Sequence, residues 1–290
     1  MKSSIVLILG LFLGMFLQSN AQARMPVLGI AASIENDSLA HAAGFVYLEE
    51  TVKRLLSPAV SDTQFARNVA MLKRARCRVQ TCNVFIPGYI KLTGPAADEQ
   101  RVLGYVDTVL HRAKLAGIQL IVLGSGEARK LPEGVTEAAA RPRFIALARK
   151  MAAVAQKYNC VIAIENLNSS ETNFITTLAA ANEVVMAVGH PHFRLTADIY
   201  HMLKEGESAA SIEQAGKNLV HCHIAEREKR TAPGVAGDDF RPYLQALHKI
   251  GYTGRIMMEC RWTNAAAEYR PAVAYLEAQL KDAYHISRKK

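Results

Sequence analysis

Four apolar runs in the second half of the chain each end in a group that can bind a cation. Val161-Ile162-Ala163-Ile164 leads into Glu165, Leu195-Thr196-Ala197 into Asp198, Val220-His221-Cys222 into His223, and Met257-Met258 into Glu259. A carboxylate carried to the edge of an apolar core is costly unless something positive meets it. One shared divalent ion would satisfy all four groups together. Two Glu, one Asp and one His form a hard, oxygen-rich donor set that suits Mn2+, Mg2+ or Co2+ and also accommodates Zn2+. Taken singly, a strand-end acid is more often a helix cap or an ion-pair partner, and a lone histidine is more often structural. It is the repetition at four equivalent places that favours a site. His221 and His223 point the same way, about 6–7 Å apart along a strand, so His223, nearer the strand end, is the expected ligand. His190-Pro191-His192 has ligand-like spacing but precedes a strand, at the opposite mouth, and is read as structural.

The elements that would carry these groups alternate between short β-rich runs and amphipathic stretches. Predicted strands span Val27–Ala31, Phe45–Glu49, Arg78–Phe85, Ile118–Leu123, Val161–Asn166, Phe193–Asp198, Leu219–Ile224 and Ile256–Glu259. Helical stretches lie between them at Asp62–Arg76, Glu99–Leu115, Arg143–Tyr158, Leu178–Val188, Ala209–Ala215 and Phe240–Ile250. Gly117, Gly189 and Gly251 stand just before strands, where helix C-caps belong. Such alternation predicts parallel βαβ units, and eight units suit an α/β fold with a single (β/α)8 TIM barrel over residues 22–290. No GxGxxG follows the first strand, which weakens an open doubly wound sheet. In a barrel the chemistry lies at the C-terminal ends of the strands, where the four candidate ligands stand.

Of the 290 residues, 50% are hydrophobic and 21% charged, enough for a sizeable core and too few charges for wholesale disorder. Lys2, the apolar run Ile5–Leu17 and the small residues of Ser19-Asn20-Ala21 read as a signal peptide over 1–21, cut before Gln22. The run is short for a membrane span. The expectation is a secreted or periplasmic protein with no membrane association after cleavage. Net charge is +9. The basic residues are scattered apart from Arg227–Arg230 and Arg288–Lys290, which indicates a solvated basic surface and no nucleic-acid partner. Five cysteines at irregular spacing, without a CxxC pair, form neither a disulfide framework nor a structural zinc site.

The pattern Glu165…Asp198-x-x-His201…His221-x-His223…Glu259 resembles the xylose-isomerase-like barrels, in particular sugar isomerases and ketose 3-epimerases. The resemblance spans the barrel, and its most specific motifs lie within about residues 161–262. It implies that Glu165, Asp198, His223 and Glu259 hold one divalent metal ion and that Glu165 and Glu259 also act as the acid and base. It implies substrate contacts by Glu171, six residues after the first Glu, and by His201, three after the Asp. Where the family has an Arg six residues after the metal His, this chain has Lys229, with Arg230 next; both are candidate substrate contacts. Arg129, in Gly124-Ser125-Gly126-x-x-Arg129, is added from a segment found in some bacterial relatives.

The activity implied is a metal-dependent sugar isomerase or epimerase acting on a small carbohydrate. One Glu takes a proton from the carbon beside a carbonyl; the other returns it to the opposite face or to the next carbon. The same abstraction could expel a glycosidic oxygen, which makes a 3-keto-glycoside lyase or hydrolase the alternative. A sugar-binding barrel without turnover is a further one. Abasic-site endonucleases share the fold but need His ligands at the second and third strand ends and an Asp-x-His after the seventh. Here those strands end near Glu49 and Asn83, and Asp238-Asp239 has no His two residues on.

Overall fold

Eight parallel strands follow one another around a closed barrel, each paired with the next and the last with the first. The computed structural model describes residues 25–286, so the expected signal peptide lies outside the described residues. The strands are β1 (Val27–Ala31), β2 (Tyr47–Thr51), β3 (Arg78–Asn83), β4 (Leu120–Leu123), β5 (Val161–Glu165), β6 (Phe193–Asp198), β7 (Leu219–Ile224) and β8 (Arg255–Met258). Closure runs from Val27 opposite Arg255 to Ile30 opposite Met258.

Of the strand bounds that differ from the sequence reading, three have a visible local reason. Phe45 and Ile118 are apolar and β-prone, but each N–H is used by the preceding helix. Gly44 and Gly117 turn left-handed, and Phe45 and Ile118 donate back to Ala40 O at 3.1 Å and Ala113 O at 2.9 Å. β2 and β4 therefore begin two residues late. β3 stops at Asn83 because Val84 adopts φ 53°, an uncommon conformation for a β-branched residue. The helix Glu137–Lys157 starts six residues earlier than expected. Thr136 caps it by accepting the Ala139 N–H, and Pro142, near its start, removes one backbone bond without ending it. The helices Asp37–Ala43 and Ala265–Ile286 were not anticipated.

The two faces of each strand do different work. Ile162, Ile164, Leu195, Ala197, Cys222, Ile224, Ile256 and Met258 are buried in the main core, each contributing roughly 1.5–3 kcal/mol if large and fully buried. On the alternate face Ala163 joins Leu120 and Val122 in a small separate apolar cluster. Glu165 stands two residues further along that same face, so the polar layer rests on an apolar floor. Among the described residues no helix is long and apolar enough to cross a membrane.

Candidate metal centre

Glu165, Asp198, His223 and Glu259 converge. One donor atom from each lies within 4.8 Å of the others, and Glu165, Asp198 and His223 are buried. Their positions follow from where the strands stop. Glu165 and Asp198 are the last residues of β5 and β6, and His223 is the penultimate residue of β7. Glu259 follows β8 and is tied to β7 by its N–H to Ile224 O at 3.1 Å. Asp198 divides its oxygens: Oδ1 accepts the Tyr200 N–H at 2.8 Å and caps the next helix, while Oδ2 faces the cluster. His223 Nδ1 lies 2.6 Å from Glu165 Oε1 and 2.8 Å from Glu259 Oε2. Gly124 leaves room for this arrangement, since a Cβ there would sit 2.3 Å from Glu165 Oε2. Three carboxylates this close together at low exposure are costly without positive charge beside them, and the donor set fits a divalent ion.

Arg230 supplies the nearest fixed positive charge. Its Nη2 donates to Glu259 Oε2 at 2.8 Å and to Asp198 Oδ2 at 3.2 Å, its Nε donates to Glu259 O, and its guanidinium lies over Tyr200. Asn83 Nδ2 holds the other Glu259 oxygen at 2.9 Å. Lys229 points elsewhere: it is 81% exposed and its nearest acid is Glu228. Lys229 and Arg230 are both left-handed, φ 53° and 58°, and this double turn sends Arg230 into the site in place of Lys229. Glu171 lies 3.7 Å from Arg230 Nη1. Arg129 corrects another expectation. Its side chain is fully buried, its Nη2 reaches Ile175 O at 3.4 Å, and it is not part of the cavity wall.

That cavity, about 320 Å³, is lined by Glu165, Glu171, His201, Arg230 and Glu259 together with residues of the segments 86–88 and 124–128. A cavity of about 370 Å³ near Pro95 and Arg143 is lined by none of the candidate residues, so chemistry selects the smaller one. His192 Nδ1 lies 2.7 Å from Cys160 O, just before β5 and so at the other end of that strand from Glu165. Glu49, at the end region of β2, was not singled out. Its buried carboxylate lies 2.8 Å from His223 Nε2 and 3.0 Å from His221 Nε2.

Burial and charge divide the protons. Burial raises the Glu165 carboxyl, with His223 opposing and Glu259 and Asp198 adding to the rise. Burial likewise raises Asp198 against the pull of Arg230. Burial also acts to raise Glu259, but His223 and Arg230 together outweigh it and hold that carboxyl at about 2. Burial would lower His223, yet Glu49, Glu259 and Glu165 keep it well above the usual imidazole range. Burial takes His201 down to about 4.

A family model described as xylose isomerase-like TIM barrel matches residues 38–279. The chain is 31% identical over 120 residues to a D-psicose 3-epimerase of Enterocloster bolteae, a match covering 41% of this chain and 40% of that relative. The matched part is thus less than half of the relative's own length. Among solved structures, an L-ribulose 3-epimerase superposes with TM-score 0.77 at 20% identity, covering 92% of this chain and 97% of the other. A 3-keto-D-glucoside 4-epimerase from E. coli superposes with TM-score 0.75 at 21% identity, covering 87% and 99%. These structural likenesses establish the barrel.

Proposed function

The chain belongs to the xylose isomerase-like TIM barrel family, and from that premise we propose a divalent-metal-dependent sugar isomerase or epimerase whose acid and base are Glu165 and Glu259. The observation that carries this reading is the convergence of Glu165, Asp198, His223 and Glu259, with the two Glu carboxylates 2.6 and 2.8 Å from His223 Nδ1. When bound, a divalent ion supplies Lewis acidity for a substrate carbonyl. Glu259 takes the proton from the carbon beside that carbonyl, and Glu165 returns one to the opposite face or to the next carbon. Asn83 fixes Glu259 Oε1, so the base meets the carbon with one oxygen constrained. Arg230 and Glu171 frame the cavity with a donor and an acceptor, the pairing a polyhydroxylated substrate needs. A cavity of about 320 Å³ is within the usual size range for small-molecule sites.

The test is solvent exchange. Keto-sugars and 3-keto-glycosides are incubated in D2O with Mn2+, and deuterium at the carbon beside the carbonyl is measured. Wild type is expected to exchange; Glu165→Gln and Glu259→Gln each stop net turnover, and exchange surviving in one of them identifies the base for that face. Near-normal exchange in both variants with metal bound rejects these two residues as acid and base. Release of a glycosidic alcohol in place of an epimer assigns the same site to elimination. Export through residues 1–21 is part of the proposal. Protein recovered from an exporting host is expected to begin at Gln22, and retained Met1 on soluble cytosolic protein would contradict it.

A further inference from the structure

Asn168 stands behind two of the polar side chains that line the cavity. It is buried in the turn after β5, and its amide is gripped from one side. Oδ1 accepts the Ser170 backbone N–H at 3.0 Å and the Ser170 hydroxyl at 2.5 Å. A backbone N–H can only donate, so the amide orientation is decided: oxygen toward Ser170, nitrogen toward the cavity. Nδ2 then faces two acceptors, His201 Nδ1 at 2.8 Å and a Glu171 carboxylate oxygen at 3.4 Å. The amide nitrogen has only protons to offer. His201 Nδ1 therefore meets it with a lone pair, and the single proton of a neutral imidazole is left on Nε2. That Nε2 is buried without a hydrogen-bond partner, 3.3 Å from Asp198 Oδ2, and His201 forms part of the cavity wall.

We propose that Asn168 is a positioning residue that holds His201 as the Nε2–H tautomer, so that His201 offers the substrate a hydrogen-bond donor and never a base. The inference deepens the sugar isomerase/epimerase reading and rests on it for the identity of the acceptor. That acceptor is an oxygen with free lone pairs, the carbonyl oxygen of a keto-sugar, on which negative charge gathers as the neighbouring carbon loses its proton. With its second N–H directed to Glu171, the same amide orients a donor and an acceptor together. His201 then does not compete with Glu259 for the substrate proton.

The test reads the nitrogens directly. The full chain, labelled with 15N-histidine and loaded with diamagnetic Mg2+, is examined by long-range 1H–15N correlation at pH 7, with His201 assigned by its loss in His201→Asn. The expected spectrum shows a protonated Nε2 and an unprotonated Nδ1. A proton on Nδ1 overturns the proposal. In Asn168→Asp the carboxylate can only accept, so Nδ1 is expected to become protonated. kcat should then fall by on the order of 10²–10³-fold, the scale seen when one donor to a developing oxyanion is lost, while KM stays within about threefold. An unchanged tautomer and kcat in that variant also overturn it. Should Asn168→Asp fail to fold, the wild-type spectrum alone decides. A wild-type chain with the expected tautomer but no exchange on any keto-sugar counts against the sugar reading alone.

Discussion

A neutral imidazole and an ionised carboxylate can share one cavity only if burial and partners divide the protons between them. His201 is 1% exposed and is pushed down to about 4, chiefly by burial, with Glu165 opposing and Arg230 adding. In the unfolded chain the same imidazole titrates near its ordinary value of about 6.5. The unfolded state therefore takes up this proton first as pH falls. The stability that His201 contributes is complete above about 6.5 and is lost progressively toward pH 4, amounting to on the order of 3 kcal/mol. Urea unfolding of wild type and His201→Asn between pH 7 and 4 checks this: the wild type should lose more stability over that window, and parallel curves would refute it. Residues of this kind were unevenly legible. The four candidate ligands stood out because each closes an apolar run, and His201 and Glu171 because they keep fixed spacing from two of them. Asn83, Asn168 and Glu49 were not readable as site residues. Each is an ordinary polar residue near a strand end until barrel closure sets it against Glu259, His201 or His223. Spacing counts residues and not directions, which is why Lys229 was drawn in beside Arg230.

At the scale of elements, hydrophobic alternation located every strand because the outer strand faces are bound to a core. Bounds failed where a neighbouring helix claimed a β-prone residue, as at Phe45 and Ile118. The long helix Ala265–Ile286 escaped because Pro271 stands inside it and its start follows Arg261-Trp262-Thr263-Asn264 without an apolar period to mark it. Loops are harder still, since their shape is set by contacts distant from their own pattern. The loop between β7 and the helix Arg241–Lys249 shows why. Glu226 is fully buried, and its carboxylate accepts the N–H groups of Gly234 at 2.7 Å, Gly237 at 2.9 Å, Asp238 at 3.3 Å and Ala236, with the Thr231 hydroxyl at 3.0 Å. This one side chain gathers the loop that carries Arg230 to Glu259 and Asp198. In Glu226→Gln one oxygen becomes a donor facing donors, and hydrogen bonds to a charged group are worth about 1.5–3 kcal/mol each. The variant is expected to lose at least about 2 kcal/mol in urea unfolding, and protease cleavage between residues 226 and 238 should accelerate. Unchanged stability and cleavage would mean that the loop is held by other contacts.

Across the whole molecule the site depends on closure, because its four candidate ligands come from β5 through β8 and a further buried acid, Glu49, from β2. The last helix helps to close the ring. Tyr269 sets its ring edge-on to Phe45 at 5.6 Å and to Trp262 at 4.6 Å, joining the region after β8 to the segment before β2. An ion held by groups from four strands binds the folded chain and not the unfolded one, so it adds stability by mass action. At a free concentration of 100 times Kd the gain is about 2.7 kcal/mol, which for a chain of this size corresponds to a rise in Tm of roughly 5–10 °C. Chelator-treated protein given Mn2+ should show that rise by calorimetry and lose it when the chelator is restored. Asp198→Asn removes a charge from the centre and is expected to shrink the rise severalfold. Lys229→Ala, at an exposed side chain outside the site, should leave it intact. If wild type and Asp198→Asn respond to Mn2+ alike, the ion is not held by these four groups; if neither responds, the convergence of Glu165, Asp198, His223 and Glu259 must be met by protons and Arg230 alone.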